Sequence, residues 1–146
     1  MQIHDRFQSP EFAKNLGDLI FNWKWRDFDD YMSKYGAEAD IEKYTTRTSV
    51  GSYFEGLGVL VKRGLIDPYM VDDLLSAPII MYLEKMTPIL REWRKRINYP
   101  QIAEWSEYLY NEIKGITTEQ HPNIGTRFSS IILGKIYVFH KIILLN

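Results

Sequence analysis

The chain contains no cysteine, and its charges almost cancel. Without cysteine it can form no disulfide, thiolate zinc site or iron–sulfur cluster, and it has no cysteine nucleophile. The 18 lysines and arginines are matched by 19 aspartates and glutamates, which gives a formal net charge of -1. No overall field therefore attracts nucleic acid or an anionic membrane, although a local basic patch remains open.

Recognisable signals for secretion and catalysis are also missing. The first residues, MQIHDRFQSPEF, contain no basic stretch followed by an apolar run, so we predict no signal peptide and expect a soluble cytoplasmic protein. The three histidines are far apart, and neither a nucleophile elbow nor a His-Glu-x-x-His pattern occurs. We therefore predict no catalytic residue, metal site or cofactor. If distant residues did assemble an active site, Glu55, Glu84 and Arg94 would be the first candidates.

Helical patterns account for most of what is present. Ser9-Pro10-Glu11 is a helix start signal, and the apolar residues that follow recur at helical spacing. A long helix is predicted from about Ala37 to Arg63, with a break or kink near Thr45–Ser49, where helix propensity is poor. Together these patterns predict an all-α fold, a single-domain bundle of five or six helices over residues 1–115.

Proline and glycine positions set the remaining boundaries. Asp67-Pro68 is a cap followed by a first-turn proline, which starts the next helix. Because Pro78 and Pro88 interrupt hydrogen bonding, the segment that follows is predicted either to kink or to start anew near Ala77. A last bundle helix is predicted from about residue 101 to 114 and is closed by Gly115.

Residues 116–146 differ in composition from the rest. A loop-like stretch is followed by the apolar tail FSSIILGKIYVFHKIILLN, which begins at Phe128. Three interpretations of this accessory tail remain open. It is a core helix packed on the bundle, a β-strand, or an interfacial membrane anchor formed by residues 128–145.

The predicted long helix contains a segment with several glycines and a single carboxylate, Glu55. Its Gly-Leu-Gly sequence does not continue as a nucleotide-binding loop, because position 61 is valine. On a helix, Gly51, Glu55, Gly58 and Lys62 form one stripe. Each helix-interior glycine costs about 1 kcal/mol relative to alanine, and the close approach of another helix would explain that cost.

The position of Glu55 on this stripe has two interpretations. If the stripe faces another helix, Glu55 requires a cation, and we predict a structural charge pair with Arg94 or Arg91. If the stripe faces water, Glu55 is an ordinary solvated residue. The sequence favours neither interpretation over the other.

A basic run interleaved with aromatic residues follows further along the chain. Its members are Arg91, Trp93, Arg94, Lys95, Arg96, Tyr99 and Trp105. Cations and rings alternate in this way on surfaces that bind single-stranded nucleic acid, but cations are also favoured at a helix carboxyl terminus. The leading prediction is a non-enzymatic interaction or regulatory module that uses this surface to bind a protein partner or a second copy of itself. The alternatives are nucleic-acid binding through residues 91–96 and peripheral membrane association through residues 128–145.

The pattern FEGLGVLVKRGLID at residues 54–67, with Pro88 and Arg94 further along, resembles an uncharacterised prokaryotic family. In that family an aromatic–glutamate pair opens the central helix and Gly-Leu-Ile-Asp ends it, as Phe54-Glu55 and Gly64–Asp67 do here. The resemblance extends from about residue 25 to 114. It implies a helical bundle and a domain of unknown function, without implying an activity.

Overall fold

The computed structural model describes residues 9–122, which form five α-helices and no strand. The helices are α1 (Pro10–Phe21), α2 (Phe28–Tyr35), α3 (Ile41–Lys62), α4 (Pro68–Arg96) and α5 (Glu104–Gln120). The predicted all-α bundle is therefore confirmed. The apolar tail at residues 128–146 lies outside the described residues.

Side-chain caps start the first four helices. The side-chain oxygens of Ser9, Asp27, Asp40 and Asp67 accept hydrogen bonds from backbone N–H groups in the first turns of α1 to α4. Such caps stabilise a helix by about 1 kcal/mol each. Helix α5 differs, because its cap residue Ala103 adopts a left-handed conformation with φ 55° and has no side chain that could accept a hydrogen bond.

Both long helices are continuous where the sequence predicted interruptions. Helix α3 runs unbroken through Thr45–Ser49, and the Thr45 hydroxyl donates a 2.8 Å hydrogen bond to the Ile41 carbonyl within the helix. Helix α4 contains Pro78 and Pro88 in its interior. A proline costs about 3 kcal/mol in a helix. The burial of about a dozen side chains along α4 offsets that cost, which local propensity could not reveal.

Helices α3, α4 and α5 pack side by side with alternating direction. The rings of Phe54 and Tyr82 join α3 to α4 with centroids 5.0 Å apart. Helix α5 then runs parallel to α3, and it extends through Gly115 to Gln120 instead of ending at the glycine. At its far end the hydroxyl of Thr117 donates a short hydrogen bond to the buried Asp72 carboxylate on α4. This arrangement places the start of α5 beside the middle of α3.

Helices α1 and α2 pack against both long helices, α3 and α4. Lys85, a half-buried residue of α4, attaches α1, because its Nζ donates hydrogen bonds of 2.6, 2.7 and 2.7 Å to the carbonyls of Leu19, Ile20 and Trp23. These carbonyls lie at the carboxyl end of α1, where the helix dipole favours a cation. Burial lowers the pKa of Lys85 to about 8. A charged side chain from one helix thus caps the end of another.

Candidate functional site

The glycine stripe of α3 faces other helices, which is one of the two interpretations that the sequence left open. A Cβ atom on Gly58 would overlap the Trp105 carbonyl oxygen and would lie 2.6 Å from the carbonyl carbon. A Cβ atom on Gly51 would lie 3.2 Å from the Tyr82 hydroxyl. Further along the stripe, Nζ of Lys62 lies 4.8 Å from the Tyr108 ring centroid. Gly58 therefore permits the start of α5 to contact the α3 backbone directly.

Glu55 occupies the middle of this contact and caps α5. Its carboxylate accepts hydrogen bonds from the Trp105 N–H at 3.3 Å, the Ser106 N–H at 2.8 Å and the Ser106 hydroxyl at 2.8 Å. These N–H groups belong to the first turn of α5, which Ala103 cannot cap. The helix dipole also favours a negative charge at this position. Glu55 therefore supplies from α3 the cap that α5 lacks.

This cap corrects the partner that the sequence suggested for Glu55. In the structure Arg94 and Arg91 both pair with Glu107 of α5, at 2.5 and 3.5 Å respectively. Arg94 also donates a 2.6 Å hydrogen bond to the Ile102 carbonyl. The reason is geometric, since the carboxyl end of α4 lies beside the first turn of α5, and Glu107 is the carboxylate within its reach. The dipole rule that favours acidic residues in a first turn is the signal that could have identified Glu107.

The three residues named as active-site candidates are not brought together. Glu84 is exposed on α4, and its carboxylate accepts hydrogen bonds from the Tyr110 hydroxyl and from Nζ of Lys114, each at 3.0 Å. Glu55 and Arg94 have the separate partners described above. The geometry of residues 9–122 thus does not unite Glu55, Glu84 and Arg94 in one site.

The ion pair with Arg94 has a consequence for acid stability. Hydrogen bonds from Arg94 hold the pKa of Glu107 below its ordinary value of 4.5. The pKa values of Asp18 and Asp30 are also lowered, because Asn22 and Lys34 donate hydrogen bonds to them. Each of these carboxylates binds a proton less tightly in the folded chain than in the unfolded chain. Their contribution to stability is present above the unfolded pKa and is lost as the pH falls through the folded pKa.

We therefore expect the free energy of unfolding to decrease as the pH is lowered from 5 to 3. Urea unfolding monitored by circular dichroism at several pH values would measure the decrease. In a Glu107→Gln variant the pH dependence should be shallower, because one of the contributing carboxylates is gone. Glu112→Gln is the matched control, because it removes an exposed carboxylate of the same helix that forms none of the ion pairs described above. Equal slopes for wild type and Glu107→Gln would contradict this assignment.

The basic run at the end of α4 is largely compensated by carboxylates. Besides the two arginines on Glu107, Arg96 pairs with Asp29 at 2.7 Å and with Glu92 at 3.1 Å. Lys95 lies 3.9 Å from the same Glu92. Trp105 is half-buried, whereas Tyr99 is 54% exposed. The cations of the predicted surface are therefore largely paired with carboxylates.

A cleft beside the Glu55 cap was not anticipated from the sequence. It has a volume of about 280 Å³, and Arg47, Glu55, Tyr82, Leu90 and Ile102 are among its lining residues. Arg47 lies in the stretch that was predicted to interrupt α3, so the sequence assigned no defined direction to its side chain. Only the continuity of α3 places Arg47 two helical turns before Glu55, on the same cleft.

The guanidinium of Arg47 is held by rings and by no carboxylate. It lies 4.7 Å from the Trp93 ring centroid and 5.3 Å from that of Tyr44. Its Nε is buried without a hydrogen-bond acceptor, and within residues 9–122 it forms no ion pair. The Tyr31 hydroxyl is also buried and has no partner of standard hydrogen-bond geometry, but it lies close enough to Arg47 for the guanidinium to oppose the rise in the Tyr31 pKa, to about 12, that burial causes. Arg47 is therefore a partly buried cation whose Nε lacks an acceptor.

The described helices also bear on the membrane alternative. None of the helices in residues 9–122 has the length and apolar character needed to cross a membrane. The alternative of peripheral membrane association rests on residues 128–145, which lie outside the described part of the chain.

Comparison with known proteins now defines the family. The model of a domain of unknown function, DUF4760, matches residues 11–113, from the first turn of α1 into α5. Comparisons with curated proteins and with solved structures gave no match. The predicted resemblance to an uncharacterised family over about residues 25–114 is therefore confirmed, and the match adds α1 to it. Because the matched region spans most of the sequence, the chain belongs to the DUF4760 family.

Proposed function

We propose that this domain is a non-enzymatic interaction module and that it associates with a second copy of itself through the end of α4 and the turn that follows. We call this region the turn surface and define it as Arg91, Trp93, Arg94, Lys95, Arg96, Ile97, Tyr99 and Trp105. The observation that supports the proposal is the exposure of two large apolar side chains in one short turn. Ile97 is 55% exposed and Tyr99 is 54% exposed.

Charge pairing on the turn surface favours a protein partner over nucleic acid. A nucleic-acid site gains its affinity from cations that are free to neutralise phosphates. Here Arg94 and Arg96 already pair with carboxylates, and the net charge of the chain is -1. Protein interfaces, in contrast, are enriched in tyrosine, tryptophan and arginine and tolerate compensated charges around an apolar centre.

Both signs of charge occur at the border of the turn surface, which favours a second copy as the partner. The side chains of Arg91 and Lys95 are 63% and 78% exposed. Glu104, at the start of α5, is exposed and forms no ion pair among residues 9–122. In a two-fold dimer each surface meets its own copy, so the cations of one chain can lie opposite the carboxylates of the other.

Replacing Ile97 and Tyr99 together by serine is expected to weaken self-association. Burying one such side chain contributes about 1.5–3 kcal/mol, so the double change should raise the dimer dissociation constant at least about tenfold. Sedimentation equilibrium across a range of protein concentrations would measure this constant. Because both residues are exposed in the monomer, the stability of the fold should change little.

Leu65→Ser provides the matched control. Leu65 is 69% exposed and lies in the turn after α3, and it is not one of the residues of the turn surface. Its replacement should leave the dissociation constant unchanged. The proposal fails if the wild-type chain stays monomeric at all concentrations, or if Leu65→Ser weakens association as much as the double variant. Steeply salt-dependent binding of an oligonucleotide would support the nucleic-acid alternative instead.

A further inference from the structure

We propose that the cleft between α3, α4 and the start of α5 binds a small organic monocarboxylate, with the carboxylate on Arg47 and an apolar body inside the cleft. This site is separate from the turn surface, and it does not depend on self-association. Three features of the cleft support the proposal. They are the guanidinium of Arg47, the apolar lining residues, and the carboxylate of Glu55, which already accepts hydrogen bonds from the start of α5.

Arg47 supplies the recognition of the carboxylate. A planar guanidinium matches a carboxylate with two parallel hydrogen bonds. The rings of Tyr44 and Trp93 fix the side chain of Arg47 in place, so little freedom remains to be lost when a ligand binds. A buried donor without an acceptor costs free energy in the unbound chain, and Nε of Arg47 is such a donor. Because Nε is buried, a carboxylate in the cleft would bind the terminal nitrogens of the guanidinium.

The charged residues that line the cleft favour a ligand with a single negative charge. Arg47 is the only cation among the residues that line it, whereas Glu55 contributes a carboxylate about two helical turns away, or about 12 Å along α3. The N–H groups of Trp105 and Ser106 at the start of α5 are already bonded to Glu55 and cannot bind a second anion. A phosphate dianion or a dicarboxylate would therefore meet one cation and one repelling carboxylate, while a monocarboxylate balances Arg47 alone.

The remaining lining residues suit an apolar body. Leu90, Ile102 and Ala103 contribute aliphatic surface, and the hydroxyls of Thr48 and Ser52 lie on the α3 side. The volume of about 280 Å³ is near the lower limit for sites that enclose small molecules. A ligand the size of benzoate or hexanoate therefore fits the cleft better than a nucleotide or a peptide.

The experiment uses benzoate, hexanoate, benzamide and inorganic phosphate as probes. Each would be titrated into the isotopically labelled full chain while backbone amide shifts are recorded by nuclear magnetic resonance. We expect saturable shifts with the two carboxylates, centred on Thr48, Ser52, Leu90 and Ala103. Benzamide, which has the same shape without the charge, and phosphate, which has charge without an apolar body, should bind at least about tenfold more weakly.

Arg47→Met is the decisive variant, because methionine retains much of the side-chain length and removes the charge. It should weaken benzoate binding at least about tenfold. Arg63→Met, at the exposed end of α3, is the matched control and should bind benzoate like the wild type. If Arg47→Met does not fold, Arg47→Lys serves in its place. Lysine retains the charge but cannot form the two parallel hydrogen bonds, so it should also weaken binding.

Three results would overturn the proposal. The first is the absence of saturable shifts with either carboxylate at concentrations up to about 10 mM, since even a weak site of millimolar affinity would be detected there. The second is equal binding of benzoate and benzamide, which would show that the charge plays no part. The third is benzoate binding that Arg47→Met, or Arg47→Lys in its place, leaves at the wild-type level.

Discussion

Replacing Glu55 by alanine is expected to lower the free energy of unfolding by about 3 kcal/mol. The substitution removes three hydrogen bonds to a carboxylate, and such charge-assisted bonds contribute about 1.5–3 kcal/mol each when they are well formed. Ser106 is only 2% exposed, so its N–H and hydroxyl would lose a well-placed acceptor at a buried position. Because Ala103 offers no side-chain cap, α5 has no alternative at its first turn. Chemical denaturation monitored by circular dichroism would measure the change.

Two further variants separate the role of the charge from that of the hydrogen bonds. Glu55→Gln keeps a side-chain oxygen of the same reach but loses the interaction of a negative charge with the helix dipole, so we expect a smaller loss of about 1 kcal/mol. Glu112→Ala removes an exposed glutamate from α5 and should change stability by no more than about 0.5 kcal/mol. A loss for Glu55→Ala no larger than that of Glu112→Ala would disprove the cap.

Replacing Gly58 by alanine is expected to destabilise the fold by about 2–3 kcal/mol, although alanine is the better helix former. The added Cβ would overlap the carbonyl oxygen of Trp105, which is a backbone atom at the start of α5. A flexible side chain could move aside, but here the helix itself must shift away from α3. Overpacking of this kind costs about 1–3 kcal/mol or more, which exceeds the gain of about 1 kcal/mol in helix propensity. The displacement would also lengthen the hydrogen bonds from Ser106 to Glu55.

Gly56→Ala is the matched control for this prediction. Gly56 lies two residues earlier on the same helix, and a Cβ atom there would meet nothing within 4 Å. Its replacement should stabilise the chain by about 0.5–1 kcal/mol, because only the propensity term remains. Thermal unfolding of both variants would therefore show shifts of opposite sign. Similar shifts for the two variants would show that α5 does not approach α3 as closely as the geometry indicates.

The sequence predicted the helical class because that depends on local patterns. Helical spacing also placed Gly51, Glu55 and Gly58 on one face, but it left open whether this face meets another helix or water. The partner of Glu55 was beyond such reasoning. Its acceptor oxygens bind backbone N–H groups 50 and 51 residues away, and backbone groups carry no sequence signature. An arginine was expected as the partner of Glu55 because a sequence shows which side chains are charged, but it does not show which backbone N–H groups lie nearby.

The breaks considered for α3 and α4 do not occur, for a related physical reason. Propensity is a local quantity, whereas the continuity of α4 through Pro78 and Pro88 depends on the burial of its side chains against the other helices. The same error concealed Arg47. A residue in a presumed irregular stretch has no defined face, so the sequence could not place it on the cleft with Glu55.

The cap from Glu55 also leads us to expect a particular order of folding. Most helices are capped at the first turn by residues that are adjacent in sequence. The first turn of α5 is instead capped by Glu55 of α3, which lies 50 residues before Trp105. The loop between them must close, with its loss of chain entropy, before the first turn of α5 becomes stable. Helix α5 is therefore expected to form late, on a surface that α3 and α4 have already built. In this fold the Glu55 carboxylate therefore makes the start of α5 depend on the packing of α5 against α3.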